Sequence, residues 1–327
     1  MQNLNKYRLL ILYLALLLLG GCKGRHTAMA QSKIDNLQTY SDGRYDYQLP
    51  AGGRIYDDKV NMDQIKISIE ALDGGRSLAA QMQSLHSRLL AYPDSPIITS
   101  YHWSDDSGGY LYLGNTSIPD YYEIEGRRIL ASSVLVAIAG SDKSDIPHRQ
   151  QEVYETLARF HPSESAFGKR GVFAMHGGYT TQPYHGQEDL FSSWINPDYD
   201  LSFDISSQVF LQPQKLDLIE RSSRVSSVFS EIGGHSKVLR KDTRMLNGMM
   251  GQEYISADTD EHGVLRYSAR LQVPGEAISP LKPQVEITLQ TGMLDTNLPP
   301  PSHKLTQEQF LALWDALVTS FKARDLN

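Results

Sequence analysis

From residue 265 to residue 273 the chain alternates without a break. Leu265, Tyr267, Ala269, Leu271 and Val273 are apolar, while Arg266, Ser268, Arg270 and Gln272 are polar. Successive side chains of a β-strand point to opposite faces, so this run fits a strand with one face on a core. Ile65, Ile67 and Ile69 alternate in the same way with Lys66, Ser68 and Glu70, as Leu201, Phe203 and Ile205 do with their neighbours. Further strand-like stretches lie at 43–47, 97–103, 109–113, 121–125, 128–139, 237–246, 252–258 and 284–290. Alternation of this kind belongs to antiparallel sheets, because a parallel strand covered on both faces is apolar throughout.

Helical spacing interrupts the strands in four places. Leu78, Met82, Leu85, Leu89 and Tyr92 recur on one face until Pro93. A second helix is expected over 147–160, with Val153, Tyr154, Leu157 and Phe160 inward. A third is expected over 216–232, with Val225, Val228, Phe229 and Ile232 on one stripe before Gly233-Gly234. The last begins at Thr306, with Gln309 placed to close a capping box, and carries Phe310, Leu313, Trp314, Leu317, Val318 and Phe321 as a core stripe. Each half therefore reads strand, helix, several strands, helix. The expected fold is α+β: two related domains, each an antiparallel sheet with helices packed on one face. They should cover residues 43–165 and 166–327 and join near 162–172. A length of 327 residues suits two cores. The only cysteine, Cys22, cannot close a disulfide within the chain, so stability must come from packing.

The N-terminus is read differently. Lys6 and Arg8 precede an apolar run, Leu9 to Leu19, which is too short for the roughly 20 residues that span a bilayer. Leu19-Gly20-Gly21-Cys22 then resembles the lipobox of bacterial lipoproteins. On that resemblance, residues 1–21 are a signal peptide, Cys22 carries lipid, and residues 22–42 form an anchor and a polar tether. The protein is expected in the periplasm, held to the envelope through the lipidated cysteine. Lys23, where an aspartate would retain a lipoprotein at the inner membrane, favours the outer one. Removing residues 1–21 takes the net charge from −7 to −9, which argues against nucleic acid as a partner.

Catalytic patterns are weak. Gly75-Arg76-Ser77-Leu78-Ala79 approaches a nucleophile elbow, and His176-Gly177-Gly178 is like an esterase oxyanion loop. Their order along the chain is the reverse of that in α/β-hydrolases, and the strand before Ser77 alternates. The same residues read as a turn and a helix start. The histidines show no metal-ligand spacing, and no glycine-rich phosphate loop precedes a helix. No enzymatic activity, cofactor or metal is expected. Tyr179, Tyr184, Trp194 and Tyr199 gather in a stretch rich in Gly, Pro, Asn and Ser. Such loops suit either a protein-binding surface or the cover of a sheet edge. As binding residues, Tyr184, Trp194, Asp198 and Tyr199 are the candidates.

The second half carries Arg240-Lys241-Asp242-Thr243-Arg244, Gly248-Met249-Met250-Gly251-Gln252-Glu253, Pro274-Gly275, Pro283 to Gly292, and Leu313-Trp314-Asp315-Ala316-Leu317. In order and spacing these resemble the lipoprotein immunity proteins paired with type VI secretion lipase effectors (the Tli family, fourth class). Gly43-Arg44-Tyr45 with Leu49-Pro50 is similar to the opening of that family. Gly171-Val172-Phe173-Ala174 is similar to its G-F-C strand, without the cysteine. The resemblance implies a non-enzymatic inhibitor whose two domains clamp a cognate phospholipase or lipase in the periplasm and protect the cell from self-intoxication. The alternative is an envelope carrier or assembly lipoprotein.

Overall fold

The computed structural model describes residues 36–71, 80, 83–84, 87, 97–102, 109–130, 133–162, 171–181, 187–212, 215–231, 235–259, 263–292 and 304–324. The signal peptide, Cys22, Ser77, Tyr184 and most of the helix expected over 78–92 lie outside these residues. Of that helix, Ala80, Gln83, Ser84 and Ser87 are described and are helical.

The first half runs β1 (Leu37–Asp42), β2 (Tyr45–Pro50), β3 (Arg54–Met62), β4 (Ile65–Ala71), β5 (Ile97–His102), β6 (Tyr110–Asn115), β7 (Tyr121–Leu130), β8 (Ser133–Asp142) and α1 (Ile146–Ala158). Three short strands follow: β9 (Phe160–Pro162), β10 (Phe173–Met175) and β11 (Gly178–Thr180). The second half runs β12 (Glu188–Asn196), β13 (Leu201–Gln208), α2 (Leu218–Glu231), β14 (His235–Leu246), β15 (Met249–Thr259), β16 (Leu265–Val273), β17 (Gln284–Thr291), α3 (Gln307–Ser320) and β18 (Lys322–Ala323).

Twelve strands form one sheet in the order β14-β15-β16-β17-β13-β12-β3-β4-β8-β7-β6-β5, antiparallel at every pairing. Outward from the centre each half repeats one path. β3-β4-β8-β7-β6-β5 matches β12-β13-β17-β16-β15-β14, and a helix closes each path. The two sheets expected from the sequence meet edge to edge along β3 and β12, from Met62 opposite Glu188 to Arg54 opposite Ile195. Pairing these strands removes two rows of open backbone donors and acceptors at once.

One face of the sheet carries a single core. Val153 and Leu157 of α1 lie over the first half, and Phe310, Leu313, Trp314 and Leu317 of α3 over the second. Gly126 of β7 lets α1 approach: a Cβ there would sit 2.5 Å from Leu157 and 2.7 Å from Val153. The small sheet β1-β2-β18 also covers this face, with Tyr47 against Phe203 at 4.8 Å and Tyr45 against Phe321 at 4.9 Å. The other face holds α2, where the Ser226 and Tyr254 hydroxyls are 2.9 Å apart.

Several local expectations are corrected. Residues 37–42, read as tether, form a strand whose last residue, Asp42, is fully buried. The stretches 121–125 and 128–139 are not divided near Gly126. That glycine lies inside β7, and β7 gives way to β8 across 131–132. Phe160 is buried but begins β9 instead of ending α1. Val225 is 67% exposed, because α2 leans on the outermost strands and turns this side chain to solvent. The capping box at Thr306 and Gln309 is present. Asn247 and Gly248, both left-handed, make the two-residue turn between β14 and β15.

Candidate interface

The segment read as aromatic loops is mostly strand. Leu190, Ser192, Trp194 and Asn196 of β12 all face inward and are buried. Trp194 is fully buried, so it fills the protein's own core and presents nothing to a partner. Its indole packs against Gly53, where a Cβ would be 1.9 Å from the ring, and meets Tyr40 edge-on at 5.7 Å. Serine at an inward position hid the alternation. Asp198 is exposed in a one-turn helix at 197–199, which the Asn196 side chain caps by accepting from the Asp198 N–H at 3.1 Å. Tyr199 is half-buried against the core. Of the four candidates, Asp198 alone is described as exposed, and Tyr184 falls outside the described residues.

The residues that resemble the immunity family converge instead on two internal clusters. In the first, the Glu253 carboxylate of β15 is nearly inaccessible. It accepts from Trp314 Nε1 of α3 at 2.6 Å and from Arg244 of β14 at 2.9 Å, and lies 2.5 Å from Arg240 Nε. Asp315, next to Trp314, takes Arg240 at 2.6 Å and Arg244 at 2.5 Å. Burial alone would raise the Asp315 carboxyl, but hydrogen bonds from both arginines hold it below the usual carboxylate range. The basic strand, the G-x-x-G-x-E hairpin and the W-D helix are thus one device that fixes α3 to the sheet edge. Gly251 is required at the hairpin because a Cβ would lie 2.4 Å from the Gln272 carbonyl oxygen.

The second cluster ties the β1–β2 segment and Arg324 to the seam between the halves. Arg44 donates twice to Glu188, at 3.1 and 3.0 Å, and its carbonyl accepts from the Arg324 N–H at 2.7 Å. Gly43 and Ala174 exchange backbone hydrogen bonds of 2.8 Å, joining the G-R-Y opening to the strand that resembles G-F-C. Asp42 accepts from the Tyr47 hydroxyl and, at 3.1 Å, from Ser192. Burial raises the Asp42 carboxyl, and it raises that of Asp58, which the Asp42 charge pushes further. Burial also pushes Glu188 up to about 7 against the pull of Arg44.

The face that carries α2 is the open one. A groove of about 560 Å³ runs beside α2, lined by Arg221, Arg224, Tyr254, Asp258, Arg266 and Arg270 among others. Two of its arginines are paired: Arg221 reaches Asp217 at 2.7 Å and Glu286 at 3.6 Å, and Arg224 pairs with Glu220. At the seam on β3, a bulge opposite Ser193 and Trp194 throws out Tyr56, which is 72% exposed. Phe191, also exposed, lies opposite Lys59. No periodic signal in the sequence marks these two aromatics. Among the described residues, no cluster of three or more His, Cys, Asp or Glu could hold a metal, and no helix is long and apolar enough to cross a membrane. The His176 main-chain N–H donates to Asp58 at 2.8 Å, and Gly177-Gly178 leads into β11, so this motif serves a hairpin.

This duplicated antiparallel sheet shares the fold of solved immunity proteins of type VI secretion. Immunity protein TplEi of T6SS from Pseudomonas aeruginosa, in its apo structure, superposes with a TM-score of 0.68 at 19% identity over 88% of this chain and 97% of that one. A chain of the Tle4–Tli4 complex superposes with a TM-score of 0.69 at 18% identity over 89% and 98%. TplEi bound to the "L" peptide gives 0.65 at 19% over 88% and 98%. Residues 170–325 match the family of the Tle cognate immunity protein 4 C-terminal domain. No curated protein matches the chain.

Proposed function

We propose that this protein is an immunity protein that binds and inhibits a type VI secretion phospholipase or lipase effector in the periplasm, held to the envelope through lipid on Cys22 and facing from the outer membrane. The observation that carries the reading is the family match over 170–325, whose signature residues build a single ion-paired cluster around Glu253. Inhibition then comes from a large complementary surface, and no residue of this chain takes part in chemistry.

The relatives support the partner class: one solved relative is in a Tle4–Tli4 complex, and another is bound to a peptide. The expected mode is a clasp by both halves of the sheet, and the seam aromatics Tyr56 and Phe191 are available to a clasped partner. The test titrates the full chain, purified in detergent, against the lipase encoded beside its gene, with phospholipid as substrate. Loss of activity at about one to one is expected. Unchanged activity with no complex on a sizing column overturns the reading.

A further inference from the structure

At the end of the sheet where β13 leads toward α2 and β16 returns as β17, two loops meet. The Ile278 N–H donates to the Phe210 carbonyl at 2.8 Å. Around that bond the chain exposes three large aliphatic side chains: Leu211 at 82%, Ile278 at 66% and Leu281 at 63%, beside half-buried Phe210. Single exposed leucines are ordinary, but here three large aliphatic side chains are exposed on two loops joined by a hydrogen bond.

The loop holds them in a fixed pose. Pro274, Pro280 and Pro283 restrict three of its ten residues. The Glu276 N–H donates to the Lys282 carbonyl at 2.7 Å, and their side chains pair at 2.6 Å. At Gly275 a Cβ would come within 2.4 Å of the Gln284 nitrogen, so the P-G turn locks the base of the loop. Ile278 itself has φ +50°, a left-handed conformation that a β-branched residue adopts only under constraint. Glycine or asparagine would serve that backbone at less cost. An isoleucine held there and pointed at solvent is explained by a use for its side chain.

We infer that Leu211, Ile278 and Leu281 form a preorganised apolar knob that docks into an apolar recess on the lipase, of the kind such an enzyme offers to acyl chains. The assignment rests on the inhibitor reading above. Three features favour this occupant. The flanking Glu276–Lys282 pair cancels, so the tip offers no net cation to an anionic lipid surface. The patch exposes on the order of 300 Å², too little to hold two copies of the chain together by itself but enough for one anchor within the larger surface that inhibition requires. A rigid, protruding anchor loses little freedom on docking, which is the economy of an interface hot spot.

The test compares wild type with Ile278→Gly and Leu281→Ser in the same lipase titration, alongside thermal melts. Ile278→Gly keeps the N–H bonded to Phe210 and relaxes the backbone, so it should melt no lower than wild type while inhibiting about tenfold less strongly or worse. Leu281→Ser should weaken inhibition in the same direction. A wild-type chain that fails to inhibit overturns the inhibitor reading and this assignment with it. A wild type that inhibits while both variants inhibit equally well overturns the assignment alone. So does an Ile278→Gly melt several degrees lower, which would show that the side chain supports its own fold. Variants that lose a dimer or vesicle binding, with inhibition intact, would assign the patch to self-association or to a bilayer and overturn it too.

Discussion

β8 and β17 occupy equivalent places in the two halves of the sheet, and their inward faces are alike: Leu135, Ala137 and Ala139 in one, Val285, Ile287 and Leu289 in the other. Their other faces differ. On β8, Val134 and Val136 are buried in a second apolar cluster with Ile129 and Ile138. On β17, Glu286, Thr288 and Gln290 are half-buried and polar, beside Arg266, Ser268 and Arg270 of β16. One topology thus serves two ends. β8 is therefore buried on both sides, whereas β17 keeps one side polar and half-open, with α2 displaced toward the outer strands. A duplicated fold needs only its shared inner face to remain apolar, which leaves the second face of one copy free to become a working surface.

The largest expected effect contrasts the closing helices. Leu157→Ala in α1 should cost about 2–5 kcal/mol, and Trp314→Ala in α3 about 3–5 kcal/mol. Trp314 should stand at the top of its range, because its removal also takes a hydrogen bond from buried Glu253. Urea denaturation of each variant measures this. A Trp314→Ala cost below that of Leu157→Ala would mean that the second half does not rely on its ion-paired helix.

The next effect lies at the seam. Glu188 has a carboxyl raised from 4.5 to about 7 in the fold. Between those values the folded protein holds a proton that the unfolded chain has released, so stability falls as pH rises through that window and levels off above it. The change amounts to at most about 3.5 kcal/mol at 1.36 kcal/mol per unit. Urea midpoints measured at pH 5 and pH 7.5 should differ less in Glu188→Gln than in wild type. Equal slopes would show that Arg44 keeps the carboxylate charged throughout.

The smallest effect tests the comparison most directly. Val136→Thr places a hydroxyl in the sealed face and should cost about 1–3 kcal/mol, whereas Thr288→Val on the open face should stay within about 0.5 kcal/mol. Thermal melts of the two variants check this. Equal costs would mean that the open face is covered after all.

Much of the scaffold was legible from residue types alone. Tyr267, Ala269, Leu271 and Val273 and the stripe of Phe310 to Val318 are inward as their spacing names them, because burial of one face leaves a regular pattern, while Leu265, at the start of its strand, is instead 51% exposed. The interface was less legible. Trp194 looked like a surface aromatic because Ser192, at an inward position, and Gly53, distant in sequence, conceal how it packs. Tyr56 and Ile278 carry no periodic mark at all: one is exposed by a bulge and the other by a constrained loop.

By itself the sequence determined many of the strands and the closing helices, that the halves repeat, and which family pattern they follow, since each of these depends on local spacing and propensity, but it did not mark β1, β3 or β12. Only the tertiary structure decided that the two repeats share one sheet through β3 and β12, that the family's signature residues meet around Glu253 and Arg44, and which apolar side chains are left in water. Those outcomes depend on contacts between residues as far apart as Arg44 and Glu188, whose cost and benefit are set by burial and geometry in three dimensions and leave no trace in the order of neighbours along the chain.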